Sequence, residues 1–109
     1  MPVDVYLFSR DNVLKEKQGF YLGSLEIDPL LSLQKSLTID NIKIFNFIDP
    51  YDETILNPQQ IRYLISEIQL MRNLISKENK PLLDFYQKLK KILDFTLDII
   101  DPYLLFAGD

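Results

Sequence analysis

The spacing of hydrophobic side chains changes near residue 57 of the chain. Before this point, apolar positions lie in short runs of about six residues bounded by turn-forming residues, a pattern typical of β-strands. After it, apolar side chains recur every three or four residues, the spacing that gives an amphipathic helix one buried face. The pattern therefore predicts strands in the first half of the chain and two long helices in the second.

Three strands are predicted in the first half. Residues 3–8 alternate valine and leucine with other side chains, and residues 20–27 are rich in aromatic and aliphatic ones. We expect these two segments to pair antiparallel, with Gly23 at a bulge or close contact. Residues 42–48 (I-K-I-F-N-F-I) predict the third strand, because their apolar side chains are β-branched or aromatic and Asp49 with the proline after it ends the run.

Aspartate followed by proline occurs three times, at residues 28–29, 49–50 and 101–102. Each pair lies at the boundary of a predicted element, because aspartate favours turns and N-caps and proline interrupts regular structure. The first pair predicts a short helix over residues 29–36, with Asp28 as its N-cap. The second ends the third strand, and the third ends the last helix.

The two long helices are separated by a polar turn that ends in a proline. Asn57 is the predicted N-cap of the first, since Pro58 follows it and Gln60 occupies the position of a capping-box partner. That helix is predicted to continue to about residue 77, and the second to span residues 82–100. The core positions that we expect to be buried are Ile65, Ile68, Leu89, Leu93 and Phe106.

The apolar segment 103–107 (Y-L-L-F-A) predicts one more strand, which must join the sheet to bury its side chains. With no linker or internal repeat, residues 1–109 are expected to form a single domain. The predicted fold class is α+β: a small, mainly antiparallel sheet covered on one face by a C-terminal αα-hairpin, with a final C-terminal strand.

Composition removes most enzymatic chemistry. The 109 residues include no cysteine and no histidine. Disulfides, thiolate zinc sites and Ser-His or Cys-His catalytic arrangements are therefore excluded. The three glycines are scattered, so no glycine-rich phosphate loop is present. We expect the protein not to be an enzyme and to bind no cofactor or metal.

The net charge is −4, and the acidity belongs to the first half of the chain. Residues 1–57 carry nine acidic and five basic side chains, whereas residues 58–109 carry seven of each. This balance argues against direct binding of nucleic acid or of an anionic membrane. No apolar run reaches the roughly 20 residues that span a bilayer, and no signal peptide is recognisable, so we expect a cytoplasmic protein.

Acidic side chains are densest at Asp49, Asp52 and Glu53. Paired carboxylates can act as acid and base or bind a hard cation, so one alternative is a carboxylate-dependent enzyme or a metal-binding protein centred on these residues. Their spacing does not match a calcium-binding loop. A turn after the third strand is favoured, because aspartate stabilises bends through hydrogen bonds to its own backbone.

A longer pattern covers residues 48–68 (I-D-P-Y-D-E-T-I-L-N-P-Q-Q-I-R-Y-L-I-S-E-I), with L-L-F-A-G-D closing the chain. It resembles small bacterial immunity proteins of polymorphic-toxin and contact-dependent growth-inhibition systems. The matching positions are Asp49, Pro50, Tyr51, Asp52, Thr54, Asn57, Gln60, Glu67, Phe106, Gly108 and Asp109. Two departures are the absence of a glycine before Asp52 and the presence of Pro58 where a bulkier residue is more usual.

The resemblance implies a cytoplasmic protein that binds and neutralises the C-terminal domain of one cognate toxin and has no catalytic activity. We expect that domain to be a basic nuclease whose active site is covered, because an acidic inhibitor gains steered association with a basic surface. A generic interaction adaptor is the remaining alternative. The candidate partner-binding residues are Asp49, Tyr51, Asp52, Glu53, Glu26 and Asp28. Asp11 and Glu16 are secondary candidates.

Overall fold

The structure, a computed structural model, describes residues 2–9, 19–37 and 42–108. Their elements follow one another as β1 (Val3–Phe8), β2 (Phe20–Leu25), α1 (Ile27–Ser36), α2 (Ile44–Phe47), β3 (Glu53–Leu56), α3 (Pro58–Leu74), α4 (Lys80–Asp94) and β4 (Tyr103–Ala107). The α+β class and the antiparallel sheet are confirmed.

The four strands form one antiparallel sheet in the order β2-β1-β4-β3. The predicted pairing of β1 with β2 is confirmed, and so is the bulge. Val5 pairs with Gly23 and Tyr6 with Tyr21, which leaves Leu22 as the extra residue in β2. Gly23 has a φ of +145°, a conformation in which a side chain would be strained.

One face of the sheet carries the core. Six strand side chains on this face are at most 2% exposed: Val3, Val5, Leu25, Leu56, Leu104 and Phe106. Helix α3 contacts β3 and β4, and helix α4 contacts β2, so these helices cover the core face. The opposite face, here called the open face, is half-buried or exposed at every position. Its residues are Asp4, Tyr6, Phe8, Tyr21, Ser24, Glu53, Ile55, Tyr103, Leu105 and Ala107.

The arrangement of the helices differs from the predicted one. All four lie mid-chain, between β2 and β4, instead of forming a C-terminal αα-hairpin that alone covers the sheet. Helix α1 contacts α4, and the short helix α2 contacts α3. The helical layer is therefore built from both halves of the chain, because the segments between β2 and β3 also bury apolar side chains, Leu33 and Phe45 among them.

The predicted strand over residues 42–48 is wrong. This segment forms α2, and the reason is a carboxylate more than twenty residues away. The side chain of Glu67, in α3, accepts hydrogen bonds from the backbone N–H groups of Lys43 (2.9 Å), Ile44 (2.9 Å) and Phe45 (2.8 Å). Because these amides already have a charged acceptor, the segment turns instead of extending along a neighbouring strand.

The helix boundaries follow local signals where such signals exist. The capping box of α3 is confirmed: the backbone N–H of Gln60 donates to Asn57 Oδ1 (2.8 Å), and that of Asn57 donates to Gln60 Oε1 (2.9 Å). Helix α1 begins one residue before Asp28, which lies in its first turn and is not its N-cap. The long helices end at residues 74 and 94 instead of 77 and 100.

Of the five core positions predicted from the sequence, Ile68, Leu89, Leu93 and Phe106 are buried, whereas Ile65 is half-buried. Between α4 and β4 the chain leaves its apolar side chains largely in solvent, since Leu97 is 65% exposed and Ile100 is 87% exposed.

Candidate functional site

The acidic segment 49–53 is a tight turn between α2 and β3. The backbone N–H of Asp49 donates to Thr54 Oγ1 (2.9 Å), and the N–H of Tyr51 donates to Asp49 Oδ1 (2.8 Å). The N–H of Glu53 donates to Asp52 Oδ1 (2.8 Å). Both aspartate carboxylates therefore stabilise the bend, as the turn interpretation predicts.

The turn is fixed against the end of β4. The backbone N–H of Gly108 donates to the carbonyl oxygen of Asp52 at 3.0 Å. A Cβ atom at position 108 would lie 2.3 Å from the carbonyl oxygen of Pro50, so only glycine fits beside the turn. These contacts leave the Tyr51 ring 59% exposed and the side chains of Asp52 and Glu53 in solvent.

A row of paired residues connects this turn with the rest of the open face. Glu53 pairs with Ala107, Ala107 with Asp4, and Asp4 with Ser24. The hydroxyl of Ser24 donates to Asp4 Oδ1 at 2.5 Å and lies 2.6 Å from the hydroxyl of Tyr21. Asp4 is thus an ordered carboxylate on the open face, and it was not among the candidates chosen from the sequence.

Glu26 and Asp28 lie at the same end of the sheet, because Leu25 of β2 pairs with Val3 at the end of β1 where Glu53 and Asp4 also lie. Three strand spacings separate the edge strands, so Glu26 is roughly 14 Å from the acidic turn. Both residues also line an open groove of about 570 Å³ between α1 and α4, across from the lysines at positions 88 and 91.

Six carboxylates therefore share one end of the sheet, which we call the acidic end. They are Asp4, Glu26, Asp28, Asp49, Asp52 and Glu53. The structure brings the two groups of predicted residues, 26–28 and 49–53, to two corners of this end and places Asp4 between them. None of the four described strands contains a lysine or an arginine.

An apolar row adjoins the acidic end on the open face. Ile55 pairs with Leu105, Leu105 with Tyr6, and Tyr6 with Tyr21. The rings of the two tyrosines are 5.6 Å apart and inclined at 58°, a favourable aromatic geometry. We call these four residues the aromatic row. Ile55 is 60% exposed and Tyr21 is 53% exposed, so the row is accessible at both ends.

Two further observations concern metal binding and membrane spanning. Within residues 2–9, 19–37 and 42–108, no three acidic side chains form a group able to hold a metal ion. No helix in the same part of the chain has the length and apolar character needed to cross a bilayer.

Most of the residues that carry the resemblance to immunity proteins have structural roles, whereas the Tyr51 ring is 59% exposed. Asp49, Thr54 and Asp52 build the turn, and Gly108 packs against it. Glu67 holds the N–H groups of α2. Asn57 and Gln60 form the capping box, and Phe106 is fully buried. Asp11, Glu16 and Asp109 lie outside the described residues.

Comparison with protein-family models, with curated protein sequences and with solved structures gives no match. The function therefore has to be argued from the surface itself.

Proposed function

We propose that this protein is an immunity protein that binds and neutralises a cognate antibacterial toxin domain with a basic surface. The observation that carries the proposal is the acidic end of the sheet beside the aromatic row, on an open face whose strands contain no basic residue. The resemblance of residues 48–68 to immunity proteins supports the same assignment.

The charges favour a basic partner over any other. The carboxylates of Asp4, Asp49, Asp52 and Glu53 create a negative potential that attracts a cationic surface and speeds association, whereas Glu26 and Asp28 line a groove together with Lys88 and Lys91. A nuclease is such a partner, because it must hold a phosphate backbone with lysine and arginine. A nuclease acts on nucleic acid inside the cell, so a cytoplasmic location and occlusion of the toxin active site are part of the proposal.

The contact chemistry also suits a protein partner. Tyr51 stands beside the exposed carboxylates of Asp52 and Glu53, and tyrosine is enriched among the residues that dominate binding energy. The aromatic row next to these acids offers apolar area that a purely electrostatic site would lack. We expect Tyr51, Glu53 and Ile55 to form the centre of the interface.

The test is co-expression of the protein with the toxin domain encoded beside its gene, to see whether cells are protected from the toxin. Association kinetics are then measured on the purified pair. The double variant Asp52→Lys/Glu53→Lys should slow association roughly tenfold or more at low salt, with a smaller effect at high salt. The matched control is Asp94→Lys/Asp98→Lys, which makes the same change in net charge on exposed residues away from the acidic end.

Absence of binding and of protection would refute the function itself. Equal slowing by both double variants would show that only net charge matters and would remove the acidic end from the interface. The thermal unfolding midpoints of both variants serve as the folding control. Asp52→Lys removes the hydrogen bond from the Glu53 N–H to Asp52 Oδ1, and Asp94→Lys removes the ion pair with Lys90, so each variant should lose about 1 kcal/mol of stability and stay folded.

A further inference from the structure

Asp4 lies on the open face, on the central strand β1, and a relay of hydroxyl groups fixes its carboxylate. The hydroxyl of Ser24 donates to Asp4 Oδ1 at 2.5 Å, so its oxygen accepts from the hydroxyl of Tyr21, 2.6 Å away. Both donors are uncharged, so the relay orients the carboxylate without neutralising it. The side chain of Asp4 is therefore preorganised to accept hydrogen bonds from a cation.

The charge of Asp4 has no counterion among the residues that the structure describes. Neither Asp4 nor Glu53 forms an ion pair with any of them, and Asp4 Oδ2 accepts no hydrogen bond from them. An ordered, half-buried carboxylate without a counterion favours a cation from another molecule. A second copy of this chain does not supply that cation, because two acidic ends would repel each other.

Ala107 separates Asp4 from Glu53 in the row of paired residues, and it is only half-buried. Its side chain is a single methyl group, so no long side chain of β4 stands between the two carboxylates. We call the space above Ala107, between Asp4 and Glu53, the Ala107 niche. The Cα atoms of Asp4 and Glu53 are two strand spacings apart, which is roughly 10 Å. Leu105 and Tyr6 of the aromatic row border the niche on a third side.

The Ala107 niche suits an arginine side chain better than a lysine side chain. A guanidinium that donates to a carboxylate on each side spans roughly 8 Å between the two accepting oxygens, whereas an ammonium spans about 6 Å. The longer span is closer to the spacing of Asp4 and Glu53 across the row. The apolar stem of an arginine can pack against Leu105, and its guanidinium can also stack on an aromatic ring such as that of Tyr6.

We propose that the open face of the sheet binds an arginine side chain of the partner protein, with the guanidinium in the Ala107 niche between Asp4 and Glu53. The aromatic row then contacts the apolar side chains that flank this arginine in the partner. The inference rests on the proposed function for the identity of the partner, a toxin domain with a basic surface. It extends the interface from the acidic turn to the central strand β1 and names the side chain that is recognised there.

The test is an NMR titration of the purified, isotope-labelled chain with hexa-arginine and hexa-lysine peptides, which carry equal side-chain charge. We expect the amide signals of Asp4, Glu53 and Ala107 to shift most with hexa-arginine. Hexa-arginine should bind at least about threefold more tightly than hexa-lysine, because only the guanidinium matches the niche. The peptides replace the toxin, so this result does not depend on whether the proposed function is correct.

Two variants distinguish the Ala107 niche from general electrostatic attraction. Asp4→Asn removes the charge and keeps the shape of the side chain, so it should weaken hexa-arginine binding roughly three- to fivefold. The matched control is Asp98→Asn, which makes the same change in net charge on an exposed residue outside the sheet. Ala107→Leu leaves every charge in place but fills the niche. It should weaken hexa-arginine binding as much as Asp4→Asn does and change hexa-lysine binding less.

Circular dichroism checks that each variant is folded. Three results with the peptides would overturn the proposal: no preference for hexa-arginine over hexa-lysine, equal weakening by Asp4→Asn and Asp98→Asn, or unchanged hexa-arginine binding by Ala107→Leu. In the complex with the toxin, Asp4→Asn should mainly speed dissociation, because it removes a contact inside the interface. A toxin that binds the wild-type chain and leaves Asp4→Asn at the same rate would overturn the arginine site and leave the proposed function standing.

Discussion

Removing the carboxylate of Glu67 should cost more stability than removing any other polar side chain of the described structure. Glu67 is 6% exposed and accepts three backbone hydrogen bonds from residues 43–45. A hydrogen bond to a charged group contributes about 1.5–3 kcal/mol, and the three share one acceptor group, so their contributions do not simply add. For Glu67→Ala we expect a loss of about 3–5 kcal/mol in the free energy of unfolding.

Glu67→Gln should fall between alanine and the wild type. The amide keeps one oxygen, which can take the place of Oε2 and accept from Lys43 and Ile44. Its NH₂ group then faces the buried N–H of Phe45, which loses its acceptor. One unsatisfied buried donor costs about 1–3 kcal/mol, and this is the expected loss for the glutamine variant.

The assay is urea unfolding followed by circular dichroism, with Glu78→Ala as the control because Glu78 is exposed in the turn before α4. The control should stay within about half a kcal/mol of wild type. Hydrogen exchange at the Phe45 amide should accelerate in both Glu67 variants, since its protection depends on the carboxylate. A loss below about 1 kcal/mol for Glu67→Ala would refute the reasoning that this carboxylate holds α2 in place.

Two other substitutions test the packing. Leu93 is 1% exposed, so Leu93→Ala should lower the free energy of unfolding by about 2–5 kcal/mol. The control Leu97→Ala changes a side chain in solvent and should lower it by about half a kcal/mol or less. Equal losses for the two variants in urea unfolding would contradict the described core. Gly108→Ala should lower the free energy of unfolding by about 1–3 kcal/mol, because the new methyl group would clash with the carbonyl oxygen of Pro50. An unchanged urea midpoint would mean that the turn does not contact the end of β4 as described.

Local signals in the sequence predict local structure correctly. The start of α3 could be read from Asn57, Pro58 and Gln60 because all the groups that form the cap lie within four residues. The segment 42–48 misled the prediction because its conformation depends on Glu67, which lies far away in sequence. Strand β3 was missed for a similar reason: its residues look like a continuation of the acidic turn, and only pairing with β4 makes them a strand.

In the candidate site, too, local features could be predicted from the sequence and long-range ones could not. The turn at residues 49–53 and the acidic residues at 26 and 28 could be predicted from the sequence, because acidic residues close together in the chain are recognised without knowing the fold. It did not show that these residues share one end of the sheet, since that depends on the strand order. Asp4 was not among the predicted site residues, although its position between Val3 and Val5 places it on the sheet face opposite to the core.

The position of β4 between β1 and β3 has a consequence for how the protein is synthesised. Phe8 and its pairing partner Tyr103 lie 95 positions apart, so a ribosome adding about 5–20 residues per second needs about 5–20 s to extend the chain from one to the other. During that time β1 can pair only with β2, and its other edge, with Val3 and Val5 beside it, lacks a partner. A nascent chain of this protein should therefore present an unpaired strand edge until residues 103–107 emerge.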